Sequence, residues 1–244
     1  STDPYRMNTS PSLRWSLAAL ALALPLLAPA QDAAIRKNLA ERMPALTQID
    51  EISKTPMPGL FEVRIGHEIL YTDAEGNFLL QGTLLDTRAR KNLTEERMEK
   101  LTAIDFKDLP LKNAFTIVRG NGKRRLAVFE DPNCGYCKRF EKDLQKVDNV
   151  TVHFFLIPIL GEDSAVKSRQ IWCSADKGKT WTDWMVRDVT PKGKGDCNTE
   201  ALDANLEFAR KYRITGTPTL VFAGGQRVPG AINAPQIEQL LAKN

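Results

Sequence analysis

The hydrophobic pattern changes period several times along the chain. Over 31–43, Ile35, Leu39 and Met43 recur every fourth residue, which predicts an amphipathic helix that Pro44 should end. From 60 to 86 the pattern alternates: Phe61, Val63 and Ile65 share one face, and Ile69 and Tyr71 continue after Gly66. That alternation predicts strands, with a turn at Asp73-Ala74-Glu75-Gly76 and a further strand over 78–86. Helical spacing returns over 92–106, where Leu93, Met98, Leu101 and Ile104 stand in a charged background and Asn92 or Thr94 is placed to cap.

Beyond Asn113 the elements alternate in type. Strands are expected over 115–119 and 125–129 around Gly120-Asn121-Gly122, then a helix from 134 to about 146 and a strand over 150–156. Mostly helix follows over 164–186, with Trp172, Cys173, Trp181 and Trp184, and another helix over 203–212. A hairpin of 219–222 with 226–228 across Gly224-Gly225 and a last helix over 235–243 complete the chain. The fold class is mixed α+β, with an α/β C-terminal part. No repeat or low-complexity segment interrupts it. The pattern divides into a small antiparallel-sheet domain over 31–90, a linker helix over 91–111, and an α/β domain over 112–244. A sheet unit of about 60 residues buries little surface alone. Dimerisation through the edge of strand 78–86 is one remedy, with Gly82 placed where two backbones can approach; the simpler reading of Gly82 is a bulge.

The segment ahead of these elements reads differently. After Met7 come a polar stretch, Arg14, the apolar run 17–27 and Ala28-Pro29-Ala30, the pattern of a secretory signal peptide over 7–30 cleaved after Ala30. The apolar run falls short of the roughly 20 residues a membrane span needs, and Pro25 and Pro29 break it. No stable membrane insertion is expected after cleavage. Residues 1–6 read as a cloning remnant or an early start and are set aside. The 244 residues carry a formal charge of +4 and are 42% hydrophobic, which is ordinary globular composition. Loss of 1–30 removes Arg6, Arg14 and Asp3 and leaves +3, without any basic tract interleaved with aromatics. Nucleic acid is not an expected partner.

The chemistry lies in the four cysteines, which an exported chain exposes to an oxidising compartment. Cys134-Gly135-Tyr136-Cys137 follows the apolar run 126–129 and opens a helix. There the free N–H groups and the helix dipole favour the Cys134 thiolate, the attacking species in disulfide exchange. The close pair forms one disulfide or a dithiol, which leaves Cys173 with Cys197 as a structural bond. Closing a loop of about 25 residues stabilises by roughly 3 kcal/mol on chain-entropy reasoning. Zinc is a poor rival, because Cys173 and Cys197 are far apart in sequence and His67 and His153, the only histidines, read as structural or surface. No metal and no cofactor is expected.

Val128-Phe129-Glu130-Asp131-Pro132-Asn133 leading into the dithiol, with Gly216-Thr217-Pro218-Thr219 some eighty residues later, resembles the thioredoxin fold. Leu80-Gln81-Gly82, the linker helix, Ile171-Trp172-Cys173 in a helical insertion, and Val228-Pro229-Gly230 narrow the resemblance to periplasmic disulfide isomerases of the DsbC/DsbG type. Gly135-Tyr136 between the cysteines favours the DsbC branch. The resemblance implies a thioredoxin-like catalytic domain with a helical insertion, preceded by a dimerisation domain and linker helix. It implies Cys134 as nucleophile, Cys137 as resolving thiol, and a cis Pro218 that lets Thr217 bind extended substrate backbone. It further implies misoxidised or misfolded exported proteins as substrates, a membrane reductase of the DsbD type, a homodimer with chaperone activity, and a periplasmic location. A DsbG-like chaperone and reductase of sulfenylated cysteines is the alternative. Without a histidine between the cysteines, a milder oxidant than DsbA is expected. Thioredoxins carry a buried acid six positions before the first cysteine; that position is Val128 here. Glu130 and Asp131 are the nearer acids for proton handling, although acids beside an exposed loop are usually solvated. Lys138 and Arg139 stand near enough to support the thiolate, with solvation the plainer reading.

Overall fold

A computed structural model of the chain describes residues 27–46 and 48–243. Residues 1–6 and most of the expected signal peptide lie outside the described residues. The expected cleavage junction after Ala30 falls inside the first helix, α1 (Leu27–Arg42). Among the described residues, no helix is long and apolar enough to cross a membrane. The chain divides into two compact units, 1–82 and 83–244.

The first unit sets α1 against an antiparallel sheet of β1 (Glu51–Lys54), β2 (Phe61–Ile65), β3 (Glu68–Thr72) and β4 (Leu79–Leu80), in that order. Ile35 and Leu39 of α1 pack on Phe61, Val63 and Leu70, so the four-residue spacing of the helix meets the two-residue spacing of the strands in one core. Strand β1 carries a single apolar residue, Ile52, opposite Val63. That leaves no alternation to read, which is why the sequence pattern passes over it. The expected strand 78–86 is broken in two. Leu79 and Leu80 pair with Thr72 and Tyr71, while β5 (Leu85–Asp86) pairs with β6 (Lys91–Asn92) in the second unit. Gly82 lies between them outside any strand, where an added Cβ would come within 3.5 Å of the Leu80 side chain. Without a side chain to pack, it gives the ladder nothing to continue on. Among the described residues no strand lies on the outer edge of β4, and Phe78 just before it and Leu80 within it are 76% and 53% exposed.

In the second unit α2 (Leu93–Thr102) is shorter than the expected helix. Asn92 caps it, accepting from the Glu95 N–H, and the chain turns extended at Ala103. Ile104 then donates its N–H to Gly225 O and buries its side chain, so tertiary packing ends the helix that spacing alone would continue. Two single 3₁₀ turns, Phe106–Asp108 and Leu111–Asn113, lead into a five-stranded sheet. Its members are β7 (Phe115–Arg119), β8 (Arg124–Glu130), β9 (Val150–Leu156), β10 (Thr219–Phe222) and β11 (Arg227–Pro229), in the order β11-β10-β8-β9-β7. Strands β8 and β9 are parallel and the other pairs antiparallel. Despite the short turn between them, β7 and β8 are not neighbours, because β9 lies between.

Strand β8 is buried on both sides, as its unbroken apolar run requires. Leu126 and Val128 face one core with α3 (Gly135–Leu144), α4 (Glu162–Trp172), α5 (Lys177–Arg187) and α7 (Ala234–Leu241). Ala127 and Phe129 face the other, with Ile104, Phe106 and the Ala209 side of α6 (Glu200–Lys211). Successive residues of one strand thus anchor both helical layers. Cys173 at the end of α4 is disulfide-bonded to Cys197 across the insertion.

Candidate functional site

Two chain reversals build the site. Strand β8 ends at Glu130, and Asp131-Pro132-Asn133 turns the chain so that Cys134 becomes the N-cap of α3. Strand β10 runs antiparallel to β8 with Thr219 opposite Phe129, so the residues entering β10 lie beside those leaving β8. The Thr217–Pro218 peptide is cis. Cys134 Sγ sits 3.3 Å from Thr217 O and 3.3 Å from the backbone N of Cys137. Gly135 and Tyr136 between the cysteines are exposed, while Cys137 is fully buried and Pro218 is buried.

The two sulfurs differ in kind. Cys134 is pulled down from 9.0 to about 6, chiefly because the Cys137 thiol donates to its sulfur. The Thr217 side chain and the backbone N–H groups of Cys137 and Tyr136 add to this, against an opposing effect of burial. The Cys137 thiol is held far above its ordinary value, first by burial, then by its bond to Cys134 and the charge of Glu130. One thiol is therefore an anion at neutral pH and its neighbour keeps its proton. Both are free cysteines.

The acids before the dithiol are buried, contrary to the expectation of solvated loop acids. Asp131 is fully buried and organises the turn. It accepts from Asn133 N at 2.7 Å, Ser164 Oγ at 2.7 Å, and the N–H groups of Ile159 and Leu160 at 2.8 and 3.0 Å. Glu130 is fully buried too, and so is Glu141 on α3, which the sequence reading did not single out. A signal was available: Cys137, Phe140, Glu141 and Leu144 are one stripe of α3, and all four are buried. Lys138 is committed elsewhere, paired with Asp188 at 2.5 Å and lying 3.7 Å from the centre of the Trp184 ring. Arg139 lies over the Tyr136 ring. Neither figures among the causes of the Cys134 shift. Trp184 Nε1 donates to Pro132 O at 2.6 Å, tying the helical insertion to the dithiol turn. His153 bonds Thr116 and lies edge-on to Phe106.

A thioredoxin-like sheet presenting a helix-capping thiolate over a buried thiol defines a thiol:disulfide oxidoreductase. Residues 111–244 match the thioredoxin-like domain family, and residues 27–95 match the disulfide bond isomerase protein N-terminal domain. A Bordetella pertussis protein named as a DsbC thiol:disulfide interchange protein is 42% identical over 211 residues, covering 86% of this chain and 74% of that one. The thiol:disulfide interchange protein DsbC of Dickeya dadantii is 32% identical over 220 residues, 86% of this chain and 87% of that one. Among solved structures, the disulfide interchange protein from Neisseria gonorrhoeae is 40% identical, with a TM-score of 0.53 over 56% of this chain and 98% of that chain. The chain belongs to the DsbC family of thiol:disulfide interchange proteins.

Proposed function

We propose that this protein reshuffles incorrect disulfides in exported proteins, with Cys134 as the nucleophile. The observation that carries this reading is the split between a Cys134 thiol lowered to about 6 and a buried Cys137 that stays protonated. The Cys134 thiolate attacks one sulfur of a substrate disulfide. An enzyme–substrate disulfide forms, the substrate S–S bond breaks, and its electron pair leaves on the second substrate sulfur as a thiolate. That thiolate is free to attack another substrate disulfide, and final attack on the mixed disulfide returns Cys134 as thiolate. No net oxidation has occurred. When rearrangement stalls, Cys137 resolves the mixed disulfide, which reduces the substrate and oxidises the enzyme pair. A reductase of the DsbD type then restores the dithiol.

Thr217 and Pro218 border Cys134 and serve as the backbone platform for extended substrate, while Gly135 and Tyr136 leave the sulfur's approach open. Exposed Tyr136, Ile159, Leu160 and Val189 supply apolar surface near the dithiol turn, which suits unfolded over native chains. That surface also supports chaperone activity, and with it the DsbG-like alternative of reducing sulfenylated cysteines. The domain assignment 31–90, 91–111 and 112–244 gives a dimerisation domain, a linker and a catalytic domain. The open β4 edge with Phe78, Leu80 and the adjoining Gly82 supports a homodimer. The signal-like segment 7–30 supports export to the periplasm. The deciding experiment is recovery of a scrambled disulfide protein, run beside turnover of a sulfenylated one. Cys134→Ala should abolish the recovery while leaving suppression of aggregation intact. Undiminished recovery by Cys134→Ala would overturn the assignment.

A further inference from the structure

Lys138 stands one helical turn beyond Cys134 on α3, its backbone N–H bonded to Cys134 O at 3.1 Å. Residues four apart on a helix are surface neighbours, and helical side chains lean toward the N-terminus. Local geometry therefore directs the Lys138 ammonium back toward the Cys134 sulfur. The ammonium lies elsewhere. It pairs with Asp188 at 2.5 Å and stands 3.7 Å from the centre of the Trp184 ring, and both partners belong to the helical insertion. The Cys134 thiolate is held by hydrogen bonds instead.

The two holders are themselves fixed. Trp184 lies near the end of α5, and its Nε1 donates to Pro132 O at 2.6 Å. Asp188 closes α5 with a φ of 57°, its N–H bonded to Trp184 O at 3.2 Å. Glycine is the usual residue in such a left-handed cap, and the negative end of a helix dipole favours a cation. Asp188 goes against both preferences, so local helix stability does not account for it. What it provides is a carboxylate facing Lys138, which in turn holds Asp188 below the ordinary carboxylate range. An exposed ion pair restrains a lysine weakly, and the Asp188 side chain is 66% exposed. The indole face adds a second attraction, and the Lys138 side chain is left 23% exposed. The surrounding charges have their own engagements. Lys167 of α4 stands 5.1 Å from the Trp184 ring and pairs with Asp163, which also accepts from Asn133. Lys142 acts on Asp188 from α3, Arg139 lies over Tyr136, and Glu130 of β8 faces the dithiol from inside.

We propose that Asp188 and Trp184 are positioning residues that hold the Lys138 ammonium away from Cys134 and so keep the dithiol a mild oxidant. This rests on the reading of Cys134 as nucleophile. A cation beside the sulfur would favour the thiolate, and with it the reduced pair. The disulfide form would then oxidise other thiols more strongly. The thiolate would also attack more weakly, because nucleophilicity falls with basicity. Reshuffling needs attack and release in balance. Hydrogen bonds supply the thiolate at neutral pH, and the lysine's charge is directed to the insertion.

The test is a double-variant cycle on the full chain. Two quantities are read: the pH dependence of iodoacetamide alkylation at Cys134, and the redox equilibrium of the pair with glutathione. Asp188→Asn removes the charge and leaves a residue that tolerates the left-handed turn. It should lower the alkylation midpoint by about half a unit and shift the glutathione equilibrium about threefold toward the dithiol. Lys138→Gln alone should move the midpoint by less than about 0.2. The double variant should return to within about 0.2 of the unaltered protein, because the lysine carries the effect. A direct effect of the lost carboxylate, or a general loosening of the turn, would persist without the lysine. An equal shift in the double variant therefore overturns the proposal, and so does an unmoved midpoint in Asp188→Asn. Trp184→Phe presents a weaker ring face and should give a smaller shift of the same sign, again cancelled by Lys138→Gln. No lysine-dependent shift there overturns the part assigned to the indole. A Cys134 midpoint at the free-thiol value in the unaltered protein would instead overturn its assignment as nucleophile.

Discussion

At the scale of single residues, the dithiol works by contrast between two identical side chains. Cys134 is helix-capping and accepts hydrogen bonds; Cys137, three residues on, is sealed inside. The reduced protein should therefore lose its iodoacetamide reactivity with a midpoint at about 6 as pH falls. Replacing Cys137 by Ala should move that midpoint upward, because its thiol is the leading donor to Cys134. A lowered folded-state value means that the Cys134 thiolate stabilises the folded reduced protein fully above the free thiol value of 9.0, and this contribution disappears as pH drops through about 6. Asp131 acts by different means. Asp131→Ala would leave Ser164 Oγ and three backbone N–H groups without their acceptor, at a cost of about 2–4 kcal/mol in urea unfolding.

At the scale of elements, what the sequence discloses depends on whether a pattern is local. The helices of 135–144 and 200–211 and the strand 124–130 are legible because their spacing or apolar run is contained within one segment. The dithiol and the Gly216-Thr217-Pro218 segment are legible as chemistry. What stays hidden depends on distant partners. Strand β1 exists through its pairing with β2, α2 ends where Ile104 meets Gly225, and the strand expected over 78–86 divides between two sheets. Glu130 and Asp131 read as solvated loop acids because nothing in their own segment announces the helices and turns that cover them. Within the insertion, the disulfide closes a separation of 24 residues between the end of α4 and the loop before α6. Removing it as Cys173→Ala with Cys197→Ala should lower stability by about 3 kcal/mol, read from denaturant midpoints. The alkylation midpoint of Cys134 should not move.

At the scale of the whole molecule, the first unit has its own core but leaves a strand edge open. Phe78 and Leu80 stand exposed beside it. Charging that edge, as Phe78→Lys with Leu80→Lys, should convert a dimer to a monomer in sedimentation. It should lower recovery of scrambled proteins while leaving the alkylation rate of Cys134 unchanged, since each redox pair is complete within one chain. An unchanged sedimentation coefficient would place the subunit contact elsewhere.

The indole of Trp184, hydrogen-bonded to Pro132 O, carries an optical consequence. It reaches the peptide two residues ahead of Cys134 and lies beneath the ammonium of Lys138. Closing the Cys134–Cys137 bond puts a quenching chromophore within short range of that ring. The protein thus has a native fluorophore at its redox centre, and Trp184→Phe should remove most of the emission change that accompanies reduction. Catalytic cycles could then be followed in real time without any label.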